Sequence, residues 1–116
     1  MRINEYTSLK EFADEFTGVW NPSSGHWLGL DFMYNNVEYR FHTGAMYNTE
    51  DTVLPDGRTA KYGVYRRHIN STEAKTEYEL IGEYAEMDDA LEYCLIDGIK
   101  LKDVIMDDDT RILGKD

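Results

Sequence analysis

Apolar residues first recur at Leu9, Phe12, Ala13 and Phe16, the i, i+3, i+4, i+7 spacing that lines one face of a helix. Ser8-Leu9-Lys10-Glu11 precedes that stripe as a capping box, in which a serine hydroxyl and a glutamate carboxylate satisfy the free amides of a first turn. The spacing predicts an amphipathic helix to about Thr17, ended by Gly18. Asn21-Pro22-Ser23-Ser24-Gly25 then reads as a turn cluster, and the period changes from helical to alternating.

Leu28, Leu30, Phe32 and Tyr34 fall on one side of a strand, and Val37, Tyr39 and Phe41 do the same after Asn35-Asn36. Asparagine tolerates the positive φ of a two-residue hairpin turn, so the register follows: Tyr34 faces Val37 and Phe32 faces Tyr39. Glu38, Arg40 and His42 are expected on the other face, toward solvent or a partner. Residues 48–58, NTEDTVLPDGR, read as a polar connection long enough to be mobile. A third strand is expected over 59–70, with Ala60, Tyr62 and Val64 on one face. A fourth is expected over 76–84, with Tyr78, Leu80 and Tyr84 inward and Glu77, Glu79 and Glu83 outward.

Met87, Ala90, Leu91, Cys94 and Leu95 return to the helical period, and Asp88 and Asp89 stand at that helix's start, where the macrodipole favours them. The helix is expected to end at Gly98. Ile99, Leu101, Val104 and Ile105 suggest a further short turn or helix, and Ile112-Leu113 a short final strand or docking segment. The fold class that follows is α+β over a single domain spanning 1–116: an antiparallel sheet of about four strands with the N-terminal and C-terminal helices packed on one face. The expected core is Leu9, Phe12, Phe16, Leu28, Leu30, Phe32, Tyr39, Phe41, Val64, Leu80, Leu91 and Leu95.

Composition adds material for that core, with 41% apolar and 13% aromatic residues, under a charged surface that gives a mean hydropathy of −0.61. The first residues lack the apolar centre of a signal peptide, and no run approaches the ~20 apolar residues of a membrane span. The single cysteine, Cys94, cannot form an internal disulfide, and a cytoplasmic site of action is expected.

Charge changes the picture more. Residues 71–116 hold 14 Asp or Glu against 5 Lys or Arg, while residues 1–70 hold 9 against 7, and the whole chain carries −11. Such a surface repels nucleic acid and anionic membrane and attracts a basic protein. Glu79, Glu83, Glu86, Asp88, Asp89, Glu92, Asp107, Asp108 and Asp109 are the candidate partner-binding residues, with Asp97 and Asp103 adding acid between them in the chain; the bland alternative is a solubilising surface.

Other chemistry is thinner. His26, His42 and His68 do not follow a metal-ligand spacing, and adjacent aspartates at 107–109 lack the alternate spacing and glycine of a calcium loop, so neither metal nor cofactor is expected. Paired carboxylates are uninformative among 23 of them. Cys94 belongs to an apolar stripe and reads as core rather than nucleophile. No glycine-rich phosphate loop occurs. Tyr62-Gly63-Val64-Tyr65-Arg66-Arg67-His68 interleaves aromatic and basic residues as single-strand nucleic-acid platforms do, but the net charge opposes a polyanion, and the arginines are expected to meet the neighbouring acidic strand.

The stretch Asp89-Ala90-Leu91-Glu92-Tyr93 … Ile96-Asp97-Gly98-Ile99-Lys100-Leu101-Lys102-Asp103-Val104-Ile105 resembles the ending of many small uncharacterised proteins from Firmicutes and their phages. Size, acidity and element order are similar to several anti-CRISPR inhibitors. That resemblance implies a non-enzymatic protein that occupies the basic nucleic-acid surface of a CRISPR effector nuclease. Two other expectations stay open: an immunity protein against a basic toxin nuclease, and a small-ligand or enzymatic domain around Trp27, Tyr65 and His68.

Overall fold

The computed structural model describes residues 6–16, 28–43, 53–70 and 75–115. In chain order the elements are α1 (Leu9–Phe16), β1 (Gly29–Tyr34), β2 (Val37–Thr43), β3 (Tyr62–Asn70), β4 (Lys75–Tyr84), α2 (Met87–Tyr93), β5 (Leu95–Ile96), β6 (Ile99–Lys100), α3 (Leu101–Met106) and β7 (Arg111–Lys115). The fold is α+β, with an antiparallel sheet of order β4-β3-β2-β1-β7.

Ser8 caps α1: its hydroxyl oxygen accepts the Glu11 N–H at 3.2 Å, while the Glu11 carboxylate takes the Thr7 hydroxyl at 2.7 Å. The Leu9/Phe12/Ala13/Phe16 face then packs on the sheet, where the Phe12 ring lies 5.2 Å and the Phe16 ring 5.4 Å from that of Phe41.

The β1–β2 hairpin has the expected register, with Tyr34 opposite Val37 and Phe32 opposite Tyr39, whose rings stack at 5.6 Å. Asn35 and Asn36 form its turn with φ of 51° and 64°, both left-handed. A β-branched residue is strained there, so Asn36→Val should cost about 1–2 kcal/mol. Thermal unfolding would register this as a drop of several degrees, whereas Asn36→Gly should hold the melting temperature close to the original.

The sheet has one face toward the helices and a second face away from them. Leu30, Phe32, Tyr39, Phe41 and Val64 fill the first with Tyr6, Phe12, Phe16, Met87, Ala90, Leu91, Cys94, Ile96, Leu101, Val104 and Ile105. Arg40 was expected at solvent on the second face, yet it is only 8% exposed, and its guanidinium reaches both Asp31 carboxylate oxygens at 3.1 Å. Asp31 lies directly opposite Arg40 in the hairpin. A charge buried in this way is tolerated because the bidentate partner is within reach.

β4 departs most from its alternation. Val64 faces Gly82 but the next residue, Tyr65, faces Leu80, so Ile81 is an extra residue in a β-bulge. Ile81 packs against the core, and beyond it the faces exchange: Leu80 and Tyr78 share the second face with Tyr65 and Arg67, and Glu79 and Glu77 share the helix face with Arg66 and His68. Leu80 is accordingly 49% exposed, and Leu28 and Leu95 are also exposed rather than core. Gly63 and Gly82 have a common purpose: a Cβ on either would collide with the ring of the tyrosine two residues on, Tyr65 or Tyr84.

Gly98 does not end α2, which stops at Cys94; Asp97 and Gly98, with φ of 52° and 80°, turn a small β5–β6 hairpin instead. The 111–115 segment is a fifth strand beside β1, with its own bulge at Leu113. Of the connection at 48–58, residues 48–52 lie outside the described residues. Its second half is a closed turn: Leu54 N–H donates to the Arg58 carbonyl at 2.8 Å and Val53 bridges Thr59.

Candidate protein-binding surface

β4 leads into α2 through Ala85 and Glu86, and five of the candidate carboxylates flank this junction in the chain: Glu83, Glu86, Asp88, Asp89 and Glu92. Ala85, Met87, Ala90 and Leu91 are buried, which forces Glu86 and Asp88 outward. Glu86 is the N-cap residue, in an extended conformation with no side-chain cap bond. Asp88 and Asp89 occupy the first turn, where the helix macrodipole offsets their charge. Glu83 lies opposite Gly63 on the second face of the sheet.

These carboxylates divide by partner. Asp89 reaches Arg58 at 3.3 Å, and Arg58 also binds Asp56 at 2.8 Å. Glu92 is held by Lys102 at 2.6 Å and Lys100 at 3.1 Å, and those two ammonium groups keep its carboxyl below the usual carboxylate range. Glu83, Glu86 and Asp88 form no ion pair among the described residues. Asp88 also borders a cleft of about 480 Å³ floored by Leu9, Ala13 and Leu91 and rimmed by Lys10, Glu92 and Lys102. Glu86 acts on a neighbour as well: burial first, then the Glu86 charge, pushes the Tyr62 hydroxyl pKa up.

The other candidates are elsewhere. Glu79 sits in the middle of β4, on the other side of the Ile81 bulge from Glu83, opposite Arg66 and 3.6 Å from the His68 imidazole. Asp107, Asp108 and Asp109 form the turn between α3 and β7, closed by the Asp109 N–H donating to the Asp107 carboxylate at 2.8 Å. Asp109 borders a shallow cleft with Asn35, Asn36 and Arg111, beside β1 and β7 at the opposite sheet edge from β4. The nine residues thus occupy three separate places.

The remaining chemistry is dispersed. His42 and His68 lie on opposite faces of the sheet, His26 lies outside the described residues, and no three metal-binding side chains converge among the described residues. Burial pushes the Cys94 thiol pKa up, with a hydrogen bond to Tyr84 acting in the other direction. Arg67 pairs with Glu38 of β2 rather than with β4, and its Nε is buried without a hydrogen-bond partner. Trp27 lies outside the described residues, and Tyr65 is buried on the second face.

The chain matches no family model, no curated protein and no solved structure. No described helix is long and apolar enough to cross a membrane. Two features of the surface were missed by sequence reasoning: the neutralisation of Asp89 and Glu92 by cations distant along the chain, and the exchange of faces within β4. The first had no local signal; the second is marked only by Ile81-Gly82, an apolar residue out of phase beside a strand glycine.

Proposed function

We propose that this is a non-enzymatic binding protein that places its carboxylates in the basic cleft of a nucleic-acid-handling protein, most concretely as an anti-CRISPR inhibitor of a CRISPR effector nuclease. The observation that supports the proposal is the set Glu83, Glu86 and Asp88, which form no ion pair among the described residues, beside Asp89 and Glu92, which do. Carboxylates of one sign at the strand-to-helix junction attract an approaching cationic surface and steer it there, and the contact with its cations offsets the desolvation that the contact costs.

Binding to guide-free and guide-loaded effector nucleases at low ionic strength tests the concrete version. Association should be detectable, should weaken as salt rises, and should compete with guide or target strand for the same surface. No association with any effector at low salt would remove anti-CRISPR activity from consideration.

A further inference from the structure

β4 is the longest strand, ten residues, and it stands at the sheet edge with β3 on one side; among the described residues no strand pairs with its other side. The opposite edge, β7, is half that length and bulged. Below the Ile81 bulge, β4 pairs with β3 without interruption from Leu80 to Lys75, so its outer side is a straight row of backbone donors and acceptors. The bulge also sets what flanks that row. Glu79, with a side chain 63% exposed, lies on the helix face, and Leu80, 49% exposed, lies on the second face; Glu77 and Tyr78 continue the same alternation.

We propose that the lower half of β4 is a docking edge for an extended basic segment of a partner protein, which adds a sixth strand with lysine or arginine beside Glu79 and Glu77 and apolar residues beside Leu80 and Tyr78. Residues opposite one another on paired strands share a face, so the acidic/apolar alternation of β4 selects a basic/apolar alternation in its partner. Self-pairing of β4 about Tyr78 would set Glu77 against Glu79, although registers that bring Lys75 opposite Glu77 or Glu79 relieve that repulsion, so a second copy is the competing occupant that the test must detect. A basic strand meets the Glu77 and Glu79 carboxylates with opposite charge in every register that keeps its cations on their face. This inference rests on the reading of a basic partner and specifies how part of that partner is held.

The test uses the full chain and three synthetic ten-residue peptides: alternating lysine and valine, alternating lysine and serine, and alternating glutamate and valine. The lysine–valine peptide should bind at least about tenfold more tightly than the lysine–serine peptide of equal charge, because only it forms a strand readily. It should also slow amide exchange across residues 77–80. Glu79→Lys, at an exposed position, should weaken it by about tenfold without unfolding the protein. Equal binding of both lysine peptides with no protection of β4 overturns the edge inference alone and leaves a charge-only attraction. Equal or tighter binding of the glutamate–valine peptide overturns the basic-partner reading together with it, as does absence of binding by any peptide at low salt. Concentration-dependent dimerisation that protects residues 77–80 would show a second copy as the occupant and would also overturn the inference.

Discussion

Phe41→Ala should lower the unfolding free energy by about 3–5 kcal/mol, the range for removing a large aromatic side chain from a closed core. Phe41 is fully buried at the centre of β2, and three rings surround it: Phe12 at 5.2 Å and Phe16 at 5.4 Å from α1, and Tyr62 at 5.8 Å from β3. Edge and stacked aromatic pairs add about 0.5–1.5 kcal/mol each beyond the area they bury. Removing Phe41 therefore detaches α1 from the sheet as well as opening a cavity. Thermal unfolding should show a melting temperature lower by at least about 10 °C. Leu28→Ala is the control, since Leu28 is 42% exposed and should change stability by less than about 1 kcal/mol. Equal effects of the two substitutions would contradict the docking of α1 on Phe41.

The second large effect is on binding. Reversing Glu83, Glu86 and Asp88 together to lysine should weaken association with a basic partner at least about a hundredfold. One exposed ion pair contributes less than about 1 kcal/mol, but reversal replaces an attraction with a repulsion, and three sites close together in the chain add to one field. Most of the loss should appear as slower association, because the field at the junction steers the encounter. Stability should fall only slightly, through the lost interaction of Asp88 with the α2 macrodipole, about 0.3–1 kcal/mol. The matching control is Asp108→Lys with Asp109→Lys. Those residues lie at the other sheet edge, and their reversal should leave affinity for the same partner within a few-fold.

The parts of the fold legible in the sequence are those governed by neighbours in the chain. The α1 stripe, the Ser8 cap and the Asn35-Asn36 turn are local features, and the turn fixes the register that stacks Phe32 on Tyr39. That register also places Asp31 opposite Arg40, so the buried ion pair was implied by the hairpin even though alternation alone assigned Arg40 to solvent. A bulge carries no comparable marker: one extra residue at Ile81 exchanges the faces of everything before it, which is why Leu80 is exposed and Glu79 lies on the helix face. One helical-looking segment differed for a tertiary reason. Leu95 continues the apolar period of α2, but the chain leaves the helix at Cys94 to form the β5–β6 hairpin, and Ile96 is buried in its place.

The candidate surface was legible in its residue types and not in its arrangement. The sequence concentrates acid in residues 71–116, and the fold then sends Asp107–Asp109 to one edge, Glu79 to the helix face in the middle of β4, and Asp89 and Glu92 into contact with Arg58, Lys100 and Lys102. Pairing between residues distant in sequence decides which charges remain available, and composition has no access to it.

The most direct measurement is the dissociation constant of the wild-type chain and of the Glu83/Glu86/Asp88 reversal variant for the same basic partner, across about 50–500 mM salt. Wild-type affinity should fall steeply with salt, starting at least about a hundredfold tighter than a variant whose weak binding is flat or rises with screening. Two superimposable curves would contradict the assignment of this junction as the surface that meets the partner.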